Sequence, residues 1–314
     1  MLAYLYRKSK KKTPISKCEN KIRKTRRHGL YAAAVFFFAV FLLYGCGREA
    51  RSYPLGNRIS NSREIVTGIR NGLKDHASSI TIRFSYGSDI FDELNQVIED
   101  WVEAALEETD DPAEGDYLRY QYGGYTYQSS YTMNGERREY TVILTPEYYC
   151  YASQEAAASE KMNEILGELG FTRHTEDIEK IRAVYGWICG NVRYDRRGLR
   201  NAYDHESSTA YGAVIQNLAT CQGYCTALYR MLRESGISCR IITGSAGEES
   251  LHAWVIARVD GRYYHLDPTW DAEQEEYRYF LVGTQHFTDH QASERFLTEE
   301  FLSAYPLSEI DYSG

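Results

Sequence analysis

The strongest constraint in the sequence is the run HAWVIARVDGRYYHLDPTWD, residues 252–271. Apolar residues alternate on both sides of Asp260-Gly261, and Asp-Gly between alternating runs marks a two-residue hairpin turn. Residues 252–259 and 262–268 are therefore expected as paired antiparallel strands. The turn fixes the register: Ile256 opposes His265, Trp254 opposes Asp267 and His252 opposes Thr269. Residues two apart share a face, so His252, Trp254 and Asp267 project to one side, with His265 two residues further along. His252 and Asp267 become diagonal neighbours within reach of a side-chain hydrogen bond. A carboxylate so placed can hold an imidazole in one tautomer and stabilise its charged form.

A second constraint lies in LATCQGYCTALYRML, residues 218–232. Counted from Cys221, the residues Tyr224, Cys225, Leu228, Met231 and Leu232 form one helical stripe, and Gly236 is placed to end the helix. Cys225 is on the stripe and reads as core. Cys221 falls in the first turn, where unsatisfied N–H groups and the helix dipole favour a thiolate. Gly223 lets a substrate or a neighbouring segment approach the helix. If the hairpin packs on the start of this helix, Cys221, His252 and Asp267 line up as nucleophile, general base and acid, and orienter. Other readings stay open. Cys221, Cys225, His252 or His265 could hold a metal, although C-x3-C and histidines on a hairpin do not match zinc spacing. Cys221 could also join a disulfide, or the triad could be present and unused. His265 reads as a structural residue of the sheet, and Trp254 as packing plus one wall of a groove.

Charge is strongly segregated. Residues 1–30 hold eleven Lys and Arg against Glu19 alone, so the remainder carries a net charge of about −18. An acidic body argues against nucleic acid as partner, because phosphate binding needs a positive surface. The basic head precedes the apolar run GLYAAAVFFFAVFLLYGC, residues 29–46. That order suits an export signal, either a lipoprotein signal with Cys46 lipidated or an uncleaved membrane anchor. The basic residues would then stay inside, with the body outside. Cys150, Cys189, Cys221, Cys225 and Cys239 follow, an odd number that leaves at least one thiol unpaired internally.

Residues 47–57 read as a tether. Residues 58–150 read as a small α+β unit: a helix over 63–75, a strand over 80–87, a helix over 89–107, and two long strands joined by Asn134-Gly135. Its tyrosines (Tyr117, Tyr120, Tyr122, Tyr125, Tyr127, Tyr131) suit a half-buried sheet, with a sugar-stacking face as the rival reading. Residues 151–314 form the second unit. There a helix ends at Gly170, another is capped by Thr175, and the cysteine helix, a strand over 239–244 and the hairpin follow.

Across about one hundred residues, from roughly 175 to 271, the chain resembles the transglutaminase-like superfamily, kin of papain-type cysteine proteases. The matching residues are Tyr194-Asp195, Tyr211-Gly212, Cys221-Gln222-Gly223-Tyr224, Gly236-Ile237, Thr243-Gly244, His252-Ala253-Trp254 and Asp267 to Asp271. The resemblance implies a papain-like α+β core, with a nucleophile helix packed on an antiparallel sheet. It implies Cys221 as nucleophile, His252 as base and Asp267 as third member. Gln222, Gly223 and Trp254 are expected at the groove or oxyanion site. Cys225 stands where the family commonly has Ala, Val255 replaces a frequent Asn, and the loop before Cys221 lacks the usual Gly, with Asn217 able to supply a left-handed turn. The implied chemistry is acyl transfer from a peptide or protein amide to water or an amine, at the cell envelope. The alternative from another class is a silent binding module on the same fold. No metal or cofactor is expected, since there is no D-x-D-x-D-G calcium loop.

Overall fold

The computed structural model describes the backbone of residues 36–38, and residues 59–87, 89–90, 92–196, 205–247, 249–272, 274 and 276–314. Cys46, the basic head and the tether lie outside the described residues. Within the apolar run only Phe36–Phe38 is described, as a short strand, β1. Among the described residues no helix is long and apolar enough to cross a membrane.

The first unit continues with α1 (Ser62–Lys74), β2 (Ile80–Tyr86), α2 (Leu94–Ala105), α3 (Asp116–Arg119), β3 (Tyr122–Asn134) and β4 (Arg137–Tyr148). Its antiparallel sheet runs β1-β3-β4-β2. The helices bury one stripe each: Ile65, Ile69 and Leu73 from α1, and Val97, Ile98, Trp101 and Ala105 among others from α2. Tyr122, Tyr125 and Tyr127 enter that core, while Tyr117 and Tyr120 join the core of the second unit. Their rings are therefore packing residues and form no sugar-stacking face. The β3–β4 turn sits one residue later than expected. Asn134 pairs with Arg137, so Gly135 and Glu136 make the bend, and Gly135 takes the positive φ of 63° that a side chain would resist.

The second unit comprises α4 (Ala152–Leu169), α5 (Asp177–Asn191), β5 (Arg193–Tyr194), α6 (Ala210–Val214), β6 (Leu218–Ala219), α7 (Cys221–Glu234), β7 (Cys239–Ala246), β8 (Glu249–Val259), β9 (Arg262–Leu266), α8 (Pro268–Asp271), β10 (Phe280–Val282), β11 (His290–Ala292) and α9 (Glu299–Ala304). Thr175 does not cap α5. The N-cap is Glu176, whose N–H donates to Glu179 Oε2 at 3.2 Å, while Thr175 Oγ1 accepts from Thr172 N. The sheet order is β10-β9-β8-β7-β11. Asp260 and Gly261 both take positive φ, and Ile256 opposes His265 as the two-residue turn requires. The second hairpin strand stops at Leu266 rather than 268. Pro268 has no N–H to give a ladder, and Asp267 turns out of the strand to cap α8.

Alternation along β8 divides the core. Ala253, Val255 and Ala257 share one cluster with Tyr224, Cys225, Leu228, Met231 and Leu232 of α7. Trp254 and Ile256 face the other way, into a cluster with Ile242, Tyr263, Val282, Phe287 and Phe296. Burying each large side chain contributes about 1.5–3 kcal/mol, so α7 is held to the sheet along its length and Cys221 is fixed at its end. This is an α+β fold with a helix packed on an antiparallel sheet.

One buried ion pair joins the units. Asp116 is fully buried and accepts from Arg240 Nε (2.8 Å), Arg240 Nη2 (3.1 Å) and Ile241 N (2.8 Å). Burial pushes its carboxyl up, but the guanidinium outweighs burial and holds it below the ordinary value. Replacing Arg240 by Met leaves that charge unpaired, at a cost of about 3–5 kcal/mol. Urea unfolding at pH 7 should show a loss of this size. A depressed carboxyl contributes stability above the ordinary carboxylate range and loses it as pH falls through its folded value. Arg240→Met already lacks that contribution, so the two stability curves should converge towards acid. Curves that stay parallel would contradict the assignment.

Candidate active site

Cys221 is the first residue of α7 and is half-buried. Its N-cap, Thr220, makes no side-chain bond to the helix. Thr220 Oγ1 instead lies 3.1 Å from Ser208 Oγ and donates to Ser207 O at 3.4 Å. No capping side chain therefore occupies the N–H groups at the start of α7, the end that attracts an anion. Asn217 takes a left-handed φ of 54° just before. Gly223 is required where it stands: a Cβ there would lie 2.4 Å from Ser207 O and 3.0 Å from Thr209 O. The close approach expected at Gly223 is thus made by this loop.

His252 is nearly buried, and Asp267 completely so. His252 Nε2 lies 2.8 Å from Asp267 Oδ2. Cys221 also favours the charged form of this ring, and with Nε2 facing Asp267 the ring atom open to it is Nδ1. α7 packs on the opposite face of β8, so Cys221 reaches His252 from the helix end. Burial opposes the imidazolium, but the bonds and charges of Asp267 and Cys221 outweigh it and raise His252 from 6.5 to about 10. Asp267 is held below its ordinary value despite burial, because His252 and His290 both bond it. Its other oxygen accepts from Thr269 N (2.9 Å) and Trp270 N (3.3 Å).

The other expected residues have clear places. Cys225 is fully buried, and burial pushes its thiol well up. Cys221 is not in a disulfide, nor is any other described cysteine. Gln222 Nε2 donates to Tyr120 O (2.8 Å) and Ser208 O (3.2 Å), so its amide ties the helix start to the first unit. Trp254 is 1% exposed, and its Nε1 donates to His265 Nδ1 at 3.1 Å. It therefore packs behind His252 and forms no groove wall. Burial and the nearby His290 push His265 down to about 3, and a neutral ring suits its role as acceptor.

Sequence reasoning missed His290. Its Nε2 lies 3.0 Å from the same Asp267 Oδ2, and its Nδ1 lies 2.7 Å from Asp289 Oδ1. The signal was present only in the pairing of β11 with β7, which no local pattern encodes. His252, Asp267 and His290 are close enough to share a cation. Each facing atom is already hydrogen-bonded to another member of the group, and a carboxylate between two imidazoles accounts for the cluster as it stands.

The raised His252 value implies a pH signature. A group whose folded value lies above its unfolded one contributes stability in full below the unfolded value, and loses it as pH rises through the folded value. For His252 the window is pH 6.5 to about 10. The stability advantage of the native chain over His252→Gln, measured by urea unfolding, should shrink across that window. A constant difference would show that Asp267 and Cys221 do not hold the proton.

A model of the transglutaminase-like superfamily matches residues 169–268. Human kyphoscoliosis peptidase is 30% identical over 158 residues, covering 45% of this chain and 23% of the relative. The mouse protein of the same name is 25% identical over 157 residues, with the same coverage. The chain thus spans about a quarter of the length of these curated relatives. Among solved structures, a TGase is 15% identical with a TM-score of 0.35, covering 55% of this chain and 50% of that one. The periplasmic domain of TgpA from Pseudomonas aeruginosa is 13% identical with a TM-score of 0.28, covering 50% and 76%. Scores this low carry no argument. The family match and the α+β core around Cys221 together show that the chain carries a domain of the transglutaminase-like superfamily.

Proposed function

We propose that this chain is a cysteine-nucleophile acyl-transfer enzyme acting on peptide or protein amides. The observation that supports it best is the row Cys221–His252–Asp267, with the sulfur at an uncapped helix start and His252 raised to about 10. The Cys221 thiolate attacks the amide carbonyl carbon and forms a C–S bond. N–H groups at the start of α7 stabilise the resulting oxyanion. His252 passes its proton to the leaving nitrogen, the C–N bond breaks, and a thioester remains. Water or an amine then attacks. His252 accepts its proton, and the C–S bond breaks to restore the thiolate–imidazolium pair. Asp267 stays ionised and holds the ring.

The location of the substrate rests on sequence alone. A basic head and apolar run followed by Gly45-Cys46 suit a tethered, exported body, and such a body meets cell-envelope proteins or peptides. The kyphoscoliosis relatives are named as peptidases, which supports hydrolysis as the first outcome to test.

The test is a peptide panel incubated with the full chain, with and without a primary amine, and read by mass spectrometry. Cleaved peptide or amine adduct is expected. Cys221→Ala and His252→Ala should each lower the rate by about 10³-fold or more. If no peptide is converted and Cys221 alkylates no faster than in the unfolded chain, the enzyme reading fails and a binding role replaces it.

A further inference from the structure

His290 is an unusual residue to bury. Its side chain is fully enclosed among Phe287 (ring centroids 3.9 Å apart), Trp270 (4.6 Å) and Trp254 (5.1 Å). An apolar aromatic would fill that space without desolvating two ring nitrogens. Both nitrogens instead meet carboxylates, Asp267 on one side and Asp289 on the other. Carboxylates only accept, so the nitrogen that holds Asp267 does so as an N–H donor. Asp289 is itself tied by Tyr279, whose hydroxyl donates to Oδ2 at 2.6 Å.

The backbone brings His290 there deliberately. β7 lies between β8 and β11, with Gly244 opposite His252 on one side and Ala292 on the other, and with Ala246 opposite His290. A Cβ on Gly244 would sit 2.0 Å from Gln291 O, so only glycine lets β11 close up at this point. The imidazole rings of His252 and His290 are then 5.4 Å apart, centre to centre, and both reach one oxygen of Asp267.

We propose that His290 is a positioning residue of the Cys221–His252–Asp267 group. Its Nε2–H fixes the carboxylate oxygen that orients His252, and Asp289 fixes His290 in turn. The inference rests on the proposed function for its purpose, but its test needs no substrate. The groups that face His290 are Asp267, Asp289, His252, His265 and Tyr279. None of the others donates a hydrogen bond to Asp267 Oδ2 in place of His290 except His252, which already does.

The experiment is the rate of Cys221 alkylation by iodoacetamide at pH 7 in the full chain, read by peptide mass spectrometry. His290→Phe keeps an aromatic ring and removes the donor. His290→Gln keeps an N–H near the position of Nε2. Each is made alone and together with His252→Ala, with melting temperature as a check on folding. His290→Phe should slow alkylation about tenfold, the scale of one lost charge-assisted hydrogen bond. His290→Gln should recover most of that loss. In the His252→Ala background His290→Phe should change the rate less than about twofold, because its effect passes through His252. If His290→Phe does not fold, Asp289→Asn carries the test at a partly exposed position, with about threefold slowing that also vanishes without His252. An unchanged rate in His290→Phe, an equal loss in both backgrounds, or a Gln variant as slow as Phe overturns the inference. Alkylation that is indifferent to His252→Ala sinks the proposed function as well, so the two failures are distinguishable.

Discussion

The site hangs on one buried carboxylate. Asp267 is fully enclosed, and an unpaired charge there would cost far more than the fold can spare. Four donors remove that cost. Two are backbone N–H groups of Thr269 and Trp270, and two are the imidazoles of His252 and His290. Satisfying the backbone pair ends β9 and starts α8, with Pro268 pre-set for the first helical position. Satisfying the side-chain pair aligns two histidines from strands on either side of β7. One turn on, Asp271 repeats the device, accepting from Tyr185 Oη (2.7 Å), Arg278 N (2.8 Å) and Tyr279 N (2.9 Å). That anchors the approach to β10 and sets Tyr279 beside Asp289.

What could be read from the sequence was what local geometry determines. A two-residue turn with two left-handed residues fixes a register, and a register fixes which side chains share a face. Helical spacing separated Cys221 from Cys225, because one stripe of α7 must be core. Where a proline or a one-residue shift intervened, the local reading slipped, as at the end of β9 and in the turn at Gly135. What could not be read depended on contacts between distant segments. His290 lies on a three-residue strand with no periodicity to announce it. Asp116 and Arg240 are 124 residues apart, and each looks like an ordinary surface charge in its own segment. Trp254 was placed on the correct face, but only the packing of Phe287 and Phe296 behind that face shows it to be interior.

The first unit is not merely appended to the second. Tyr117 and Tyr120 pack in the core around α7, Tyr229 Oη donates to Glu108 Oε2 at 2.7 Å, and Gln222, next to Cys221, donates to Tyr120 O. Burial and the neighbouring Asp116 push Glu108 up, whereas Arg240 holds Asp116 down. A cluster of this kind adds little net stability over apolar packing, but it tolerates few alternative alignments. Its effect is to fix how the segment 116–121 lies against α7. The backbone carbonyl of Tyr120 thereby holds the side chain of Gln222, the residue after Cys221, so the orientation of the helix start depends on both units.

The charge balance around His252 also changes in a useful order on the proposed mechanism. In the resting site the imidazolium is favoured by two neighbours, Asp267 and the Cys221 sulfur, and its value of about 10 reflects both. Such a group is a poor proton donor near neutral pH. Attack on a carbonyl turns the thiolate into a neutral thioether sulfur, which removes the charge of one of the two neighbours. Burial, which always opposes the cation, is then countered by Asp267 alone, and Asp267 shares its Oδ2 with His290. The imidazolium therefore becomes more acidic at the step where the leaving nitrogen needs a proton. When the thioester is resolved the thiolate returns and the ring again holds its proton.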